Sequence, residues 1–332
     1  MSEALRSRFE GRRALVTGGL GFIGSRVARR LLELGAEVTV LDALVPGCGG
    51  NPFNLEGVRE RIHVRVADLC DAAAAEEAVA GQELVFNLAG QVSHVDSMSH
   101  PMGDLENNVR AQLSLLEACR RRNPAALVVL ASTRQIYGRP RYLPVDEAHP
   151  CEPVDVNGVH KFAAEQYHRL YARSFGVRSA ILRLTNTYGP GQLVKHARQG
   201  FLGWFLRLAV EGKCIDVMGD GEQLRDLNHV DDVVRALLLA ATTPAAVGRV
   251  YNLGASPPVS LRALAELLVE LSGRGSWRLV PFPEDRERID VGSVYADYGA
   301  CRRELGWEPR VTLRDGLAQT LRYYERNLVH YL

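Results

Sequence analysis

Gly18, Gly21 and Gly24 lie in a short segment whose residue types and spacing suit the binding of a pyrophosphate. The segment, residues 17–25, follows an apolar run and opens a pattern of apolar residues at helical spacing. Gly18 or Gly19 permits a tight turn, Gly21 lets the backbone approach phosphate, and Gly24 lets the helix pack against the strand. The N-terminus of that helix attracts the anion through its free N–H groups. We therefore expect a dinucleotide here.

Asp42 indicates which dinucleotide binds. It ends a second apolar run, residues 38–41, about 20 residues after the glycines. A carboxylate at this place accepts hydrogen bonds from a ribose 2′-OH and repels a 2′-phosphate. The sequence therefore predicts NAD, in preference to NADP, as the cofactor.

Lysine is rare in this chain, and its rarity draws attention to Lys161. The 332 residues include 40 lysines and arginines, of which only Lys161, Lys195 and Lys213 are lysine. A chain with such a preference for arginine is expected to keep lysine where a compact ammonium is needed.

The composition argues against several kinds of partner and site. A formal net charge of +1 implies no nucleic-acid partner. The chain has no stretch of the ~20 apolar residues that span a bilayer, and residues 1–11 are too polar for a signal peptide. The six cysteines are scattered, which favours unpaired thiols over a metal site. We expect a cytoplasmic protein with no membrane partner and no metal.

Strand-like and helical segments alternate through the first half of the chain. This alternation predicts an α/β fold, a Rossmann-type doubly wound parallel sheet with helices on both faces. Beyond residue 190, helices are separated by short strands and Gly/Pro turns, which indicates a smaller substrate-binding lobe. We predict an NAD-binding domain over 1–190, to which 228–254 returns, and a C-terminal lobe formed by 191–227 and 255–332.

Several further motifs give the chain a resemblance to a known family. They include the segments 67–69, 87–90, 132–138, 183–190, 219–226, 230–232, 251–254 and 305–309. In this order and spacing they resemble the motifs of the extended short-chain dehydrogenase/reductases, and among these the NAD-dependent sugar-nucleotide epimerases and dehydratases. The resemblance covers nearly the whole chain.

The resemblance implies contacts to NAD and to a nucleotide sugar. The implied cofactor contacts are Gly18, Gly21, Phe22, Ile23, Gly24, Asp42, Asp68, Leu69, Leu88, Ala89, Gly90 and Lys161. The implied substrate contacts are Ser132, Asn186, Arg225 and Arg288. A planar guanidinium such as that of Arg225 suits a diphosphate, which it can grip with two parallel hydrogen bonds.

The resemblance also implies a homodimer, paired through helices over 104–122 and 157–175. These two segments carry more apolar residues than one face of a sheet needs. The residues concerned are Leu105, Val109, Leu116, Ala163, Ala164 and Leu170.

One catalytic position departs from the family pattern. In the family, the general base is a tyrosine four residues before the lysine. A catalytic Ser or Thr of the family corresponds to Thr133. In this chain Asn157 stands four residues before Lys161. An amide cannot exchange protons near neutral pH, so another group must act as the base. His94 is our first candidate, because histidine ordinarily titrates at roughly pH 6.5.

Tyr137, Cys151 and Asp155 remain alternatives for the base. With Thr133, Asn157, Lys161 and His94 as the catalytic set, the chain is predicted to be an NAD-dependent nucleotide-sugar epimerase. Such an enzyme oxidises a sugar hydroxyl transiently and then returns the hydride.

Two other interpretations stay open, a dehydratase or ketoreductase and a non-catalytic protein that binds NAD and a nucleotide sugar. Dehydratases of the family carry Thr-Asp-Glu, whereas here Thr133 is followed by Arg134 and Gln135, neither of which donates a proton. Arg134 can pair with an anionic group of the substrate or form a structural salt bridge. Asn157 favours the non-catalytic interpretation, and the presence of Thr133 and Lys161 disfavours it.

Overall fold

The fold is organised around a seven-stranded sheet. The computed structural model describes residues 3–282 and 290–332. The strands are β1 (Arg13–Thr17), β2 (Glu37–Asp42), β3 (His63–Val66), β4 (Leu84–Asn87), β5 (Leu127–Thr133), β6 (Arg178–Leu184), β7 (Asn186–Tyr188), β8 (Cys214–Met218), β9 (Leu224–Arg225), β10 (Leu227–His229), β11 (Val250–Asn252), β12 (Val259–Ser260) and β13 (Ser276–Val280).

Helices connect and cover these strands. The described helices are α1 (Glu3–Arg6), α2 (Phe22–Glu33), α3 (Ala72–Val79), α4 (His94–Ser99), α5 (Pro101–Leu105), α6 (Ala111–Arg122), α7 (Val156–Phe175), α8 (Phe201–Glu211), α9 (Val230–Thr242), α10 (Leu261–Ser272), α11 (Gly299–Leu305) and α12 (Leu313–Asn327). Within residues 3–282 and 290–332, none of them combines the length and the apolar character that crossing a membrane requires.

The topology of the main sheet fixes where a ligand can bind. Its strand order is β3-β2-β1-β4-β5-β6-β11, and every neighbouring pair is parallel. The order reverses between β1 and β4, and in such sheets ligands bind beyond the carboxyl ends of the strands at this point. The predicted Rossmann-type fold is confirmed.

Both faces of the sheet are buried beneath helices. Along β1, Ala14 and Val16 belong to the apolar cluster that includes residues of α2 and α9, whereas Leu15 belongs to the cluster with α3 and α6. Successive side chains of a strand point to opposite faces, which explains this alternation. The near-continuous apolar runs of the sequence therefore correspond to strands that are covered on both sides.

A separate apolar cluster lies in the C-terminal part of the chain. It joins α8, α10 and α12 with the parallel pair β8 and β13. By contrast, β11 extends the main sheet, and Cys301 and Trp307 pack into the core of that sheet. The domain boundaries at 190, 227 and 254 stay a prediction.

The helix expected over 104–122 is interrupted. A π-helical turn, Glu106–Arg110, separates α5 from α6. Such turns frequently mark functional sites. Here the turn contains Asn108, whose side chain accepts a hydrogen bond from the Gln91 N–H at 3.1 Å and donates one to the Gln91 carbonyl at 3.0 Å. The turn thereby anchors the loop that follows β4.

A buried ion pair connects the elements that carry the candidate catalytic residues. Arg183 on β6 donates from Nε and Nη2 to the carboxylate of Glu165 on α7, at 2.7–3.2 Å. The Ser132 hydroxyl on β5 donates to the same carboxylate, and Arg183 Nη1 donates to the Tyr137 hydroxyl at 2.7 Å. Both charged side chains are at most 3% exposed.

We predict that Glu165→Gln lowers the free energy of unfolding by about 3–5 kcal/mol, because it leaves the Arg183 guanidinium buried without its counter-charge. Urea denaturation measures the change. The control is Glu270→Gln, which removes the exposed pair with Arg314, whose side chains are 60% and 56% exposed. Its effect should stay below about 1 kcal/mol. Equal effects of the two substitutions would contradict this account of the network.

Candidate active site

A cavity of about 340 Å³ lies at the carboxyl ends of the central strands, where the topology places a ligand. The residues predicted to contact NAD line it without exception. They are Gly18, Gly21, Phe22, Ile23, Gly24, Asp42, Asp68, Leu69, Leu88, Ala89, Gly90 and Lys161. The cavity also contains Ser132, Thr133, His94 and Asn186. The structure thus brings most of the predicted cofactor, catalytic and substrate contacts to one place.

The glycine loop has the shape that a dinucleotide requires. Gly18 has a φ of +65°, and a Cβ at this position would lie 2.8 Å from the Leu88 carbonyl oxygen. A Cβ on Gly24 would overlap the Gly18 carbonyl. Gly21 caps the N-terminus of α2, whose N–H groups are available to an anion. The residues present therefore fit the pyrophosphate of NAD.

Asp42 lies at the end of β2 with its carboxylate fixed by the backbone. Oδ2 accepts a hydrogen bond from the Leu20 N–H and Oδ1 accepts one from the Leu44 N–H, each at 2.9 Å. Since Asp42 lines the cavity, it places a negative charge where the ribose of a dinucleotide is expected. This arrangement supports the predicted preference for NAD over NADP.

Lys161 reaches the cavity from α7 because Gly90 leaves room for it. A Cβ on Gly90, which has a φ of +157°, would lie 2.5 Å from Lys161 Nζ and 2.6 Å from Asn108 Oδ1. Burial lowers the pKa of Lys161 to about 8, against the opposing effect of the Asp104 carboxylate. The side chain is therefore still largely an ammonium at neutral pH.

Asn157 does not join Lys161 in the cavity. Its side chain is completely buried, and Nδ2 donates to the Gln91 carbonyl and to Asp104 Oδ2, each at 2.9 Å. Asp104 Oδ1 in turn bonds Nδ1 of His160 at 2.7 Å. Asn157 thus attaches the loop after β4 to α7, and it is absent from the residues that line the cavity.

His94 lies in the cavity with a carboxylate behind it. Its Nδ1 makes a short contact with Oδ2 of Asp155, the residue that caps α7, while Asp155 Oδ1 accepts from the Gly158 N–H at 2.7 Å. Burial acts to raise the pKa of Asp155, but the hydrogen bonds from His94 and the Gly158 N–H outweigh it and the pKa is lowered. The amide of Gln135 contacts the other ring nitrogen, Nε2.

Thr133 is the third candidate catalytic residue in the cavity. Its Oγ1 accepts a hydrogen bond from the Gln135 N–H at 3.2 Å, which starts the turn after β5. The hydroxyl keeps its proton available for another partner. The neighbouring Ser132 also lines the cavity, although its own hydroxyl is bonded to Glu165.

Comparison with known proteins identifies the family. The sequence model of the NAD dependent epimerase/dehydratase family matches residues 14–254. The chain belongs to this family. The prediction of an NAD-dependent sugar-nucleotide epimerase/dehydratase, with NAD as its cofactor, is thereby confirmed.

Relatives from both branches of the family match nearly the whole chain. A putative UDP-glucose 4-epimerase of Methanocaldococcus jannaschii is 31% identical, over 94% of this chain and 98% of its own. A dTDP-glucose 4,6-dehydratase of Streptomyces griseus is 36% identical, over 94% of each chain. The structure of a Thermotoga maritima UDP-glucose 4-epimerase with UDP-glucose superposes with a TM-score of 0.86, at 32% identity, over 95% of this chain and 99% of its own.

Arg225, which was predicted to bind substrate, is not among the described residues that line the cavity. Arg225 on β9 is 7% exposed, and its Nη1 donates to the carbonyls of Leu224 and Gly292. Burial, together with the charge of Arg134, lowers the pKa of Arg225 to about 10. Arg288 lies outside the described residues.

The structure adds several residues to the site of this epimerase/dehydratase. Arg134 and Gln135 line the cavity directly after Thr133, and the segment after residue 191 supplies a wall from the other side. The wall residues are Gln192, Leu193, Gln199, Gly200, Phe201 and Leu202. Asp155 had a signal in the sequence, since Asp is a favoured cap just before a helical pattern. The wall residues had no such signal in the sequence, because their position relative to β5 depends on how α8 packs.

We predict that Gly90→Ala weakens the binding of NAD by roughly tenfold, or ~1.4 kcal/mol, because the new methyl group displaces the Lys161 ammonium. Calorimetric titration of the cofactor-free protein measures the affinity. Gly103→Ala is the control, since a Cβ at Gly103 meets no atom within 4 Å. Unchanged affinity in Gly90→Ala would show that the ammonium does not contribute to holding the cofactor.

Proposed function

We propose that the protein is an NAD-dependent nucleotide-sugar epimerase in which His94 replaces the usual tyrosine as general base. The observation that carries the proposal is the pairing of His94 with Asp155 inside the cavity that also contains Thr133 and Lys161. When bound, NAD accepts a hydride from the sugar carbon and returns it. The protein's task is to hold the sugar and to move the hydroxyl proton.

His94 is arranged to accept that proton at Nε2. An aspartate that accepts a hydrogen bond from Nδ1–H fixes the tautomer in which Nε2 carries the lone pair, and it stabilises the imidazolium that forms. The Gln135 amide donates to Nε2. A substrate hydroxyl takes the place of this amide, and Thr133 donates a second hydrogen bond to the same oxygen. Asp155 acts through His94 and is a positioning residue.

Lys161 can bind the cofactor even though residue 157 is not a tyrosine. The ammonium lies beside Gly90 at the end of β4, where it can hold the ribose next to the nicotinamide. In the absence of a phenol at residue 157, the positive charge has no phenolate to stabilise. It instead favours the oxygen of the sugar as that oxygen becomes negative.

Dehydration remains the second candidate reaction, since dehydratases stand among the relatives. Elimination of water needs an acid and a base beside the sugar ring. The two residues after Thr133, Arg134 and Gln135, offer neither, and this favours epimerisation. A binding protein without turnover is the other alternative. Asn157 supports it, whereas the pairing of His94 with Asp155 gives the cavity the acid–base group that such a protein does not need.

We also propose a homodimer that forms through α7 and the neighbouring helices. Of the apolar residues predicted to lie at the interface, Leu116 and Ala164 are buried inside the protomer. Leu170 is 43% exposed, and the same helix exposes Val159 and Phe175. This exposed apolar surface on one long helix supports association with a second copy.

We predict that His94→Gln lowers kcat by roughly 10²–10⁴-fold with UDP- or dTDP-linked hexoses, since it removes the proton acceptor. Asp155→Asn, which keeps the cap of α7, should lower kcat less. It should also move the acidic limb of the kcat/KM profile to lower pH, because the carboxylate no longer stabilises the protonated imidazole. Product formation is followed by NMR, and NAD affinity should not change.

His100→Gln is the control, because His100 is exposed and bonds the neighbouring Ser99. Full activity of His94→Gln would remove His94 from the mechanism. If the wild-type protein binds a nucleotide sugar but does not turn it over, the non-catalytic alternative would be favoured. Asp155→Asn with lower kcat but an unmoved pH profile would reduce Asp155 to a structural role.

We predict that the wild-type protein is a dimer at micromolar concentration. Light scattering should then give twice the mass of one chain, which is 36.6 kDa. Leu170→Glu should yield monomers, because a buried interface does not accept an unpaired carboxylate. Leu279→Glu on β13 is the control, since Leu279 is similarly exposed at 47% but lies in the smaller lobe. A monomeric wild-type protein, or equal effects of the two substitutions, would contradict the proposed interface.

A further inference from the structure

Among the described residues that line the cavity, two are lysine or arginine, Lys161 and Arg134. Lys161 lies beside Gly90, at the part of the cavity assigned to the cofactor. Arg134 directly follows Thr133, and its Nη2 donates to Oδ1 of Asn186 at 3.4 Å. The second charge is therefore on the side of the cavity where the sugar is expected, and the cofactor does not account for it.

Within the described residues, the partly buried Arg134 lacks the kind of partner that the buried arginines have. Arg183 has the bidentate carboxylate of Glu165, and Arg225 has two backbone carbonyls and Asp290 at 3.9 Å. Among residues 3–282 and 290–332, no carboxylate lies within 4.0 Å of the Arg134 guanidinium, and its one hydrogen-bond partner is the neutral amide of Asn186. The guanidinium is partly buried and lines the cavity, so its remaining N–H donors are available to an anionic ligand.

Three carboxylates act on Arg134 from a distance without forming an ion pair with it. Burial lowers the pKa of Arg134, even though the carboxylates of Asp226, Asp155 and Asp290 act to raise it. Arg134 and Arg225 also repel each other, since each lies close enough for the charge of Arg134 to lower the pKa of Arg225. A ligand carboxylate in direct contact with the guanidinium would supply the counter-charge that the described side chains do not bring within 4.0 Å.

A nucleotide sugar has two places that can carry such an anion, the diphosphate and the sugar ring. Arg134 follows Thr133, which the proposed function places at the reacting hydroxyl, and both residues line the same cavity. This favours the sugar ring over the diphosphate as the group that Arg134 contacts. A carboxylate is planar and matches the two parallel N–H groups of a guanidinium. Building on the proposed function, we infer that Arg134 binds a carboxylate on the sugar and that the substrate is a nucleotide-linked uronic acid.

The test compares pairs of ligands that share a diphosphate and differ in the carboxylate. UDP-glucose and UDP-glucuronic acid, with the corresponding dTDP sugars, are titrated calorimetrically into the NAD-loaded protein. The wild-type protein should bind the uronic acid at least roughly tenfold more tightly than the neutral sugar. Arg134→Gln should abolish this preference while it leaves the affinity for the neutral sugar within roughly twofold.

The control is Arg278→Gln, which removes an exposed positive charge from the smaller lobe and should keep the preference. Thermal unfolding of each variant shows that it is folded. Equal weakening of both ligands in Arg134→Gln would mean that the guanidinium grips the diphosphate, and the inference would be wrong. A wild-type protein that binds both sugars equally would also overturn it, with the proposed epimerase intact. Failure to bind any nucleotide or nucleotide sugar would instead overturn the proposed function.

Discussion

The buried ion pair between Arg183 and Glu165 is the interaction on which the geometry of the site depends. Glu165 lies one turn after Lys161 on α7, so fixing Glu165 against β6 also fixes the height and rotation at which Lys161 enters the cavity. The same carboxylate holds Ser132, the residue before Thr133. Removing either charge leaves the other unpaired in the core, so neither residue can be replaced alone without a loss of stability. One polar network in an apolar core thus sets the relation of β5, β6 and α7.

Asn157 connects the two segments that meet at the proposed base. Its small amide points into the protein and bonds both the loop after β4 and Asp104. That loop leads to His94, and Asp155 caps α7, so the proposed base and its carboxylate come from segments that Asn157 attaches to each other. The amide of residue 157 and the contact between His94 and Asp155 are therefore connected through packing at the start of α7.

Charge is distributed along the cavity in the order that a dinucleotide and an acidic sugar would need. Asp42 places a negative charge at the ribose end, Lys161 a positive charge beside Gly90, and Arg134 a second positive charge beyond Thr133. Asp42 is held by two backbone N–H groups and Arg134 bonds Asn186, so these two charges are in position before a ligand arrives. Desolvation strengthens these interactions, since the same charges would be screened in water.

The sequence by itself determined the features that depend on local physics. Apolar runs predicted the strands, and glycine spacing with Asp42 predicted the dinucleotide loop, because turn conformation and strand periodicity are properties of neighbouring residues. The tertiary structure decided which polar side chains meet. His94 and Asp155 are 61 residues apart in the chain, Arg225 is directed at Gly292 and not at the cavity, and Asn157 is turned inward. Such pairings arise only when β4, β5 and α7 pack, because the direction of a side chain depends on every element around it.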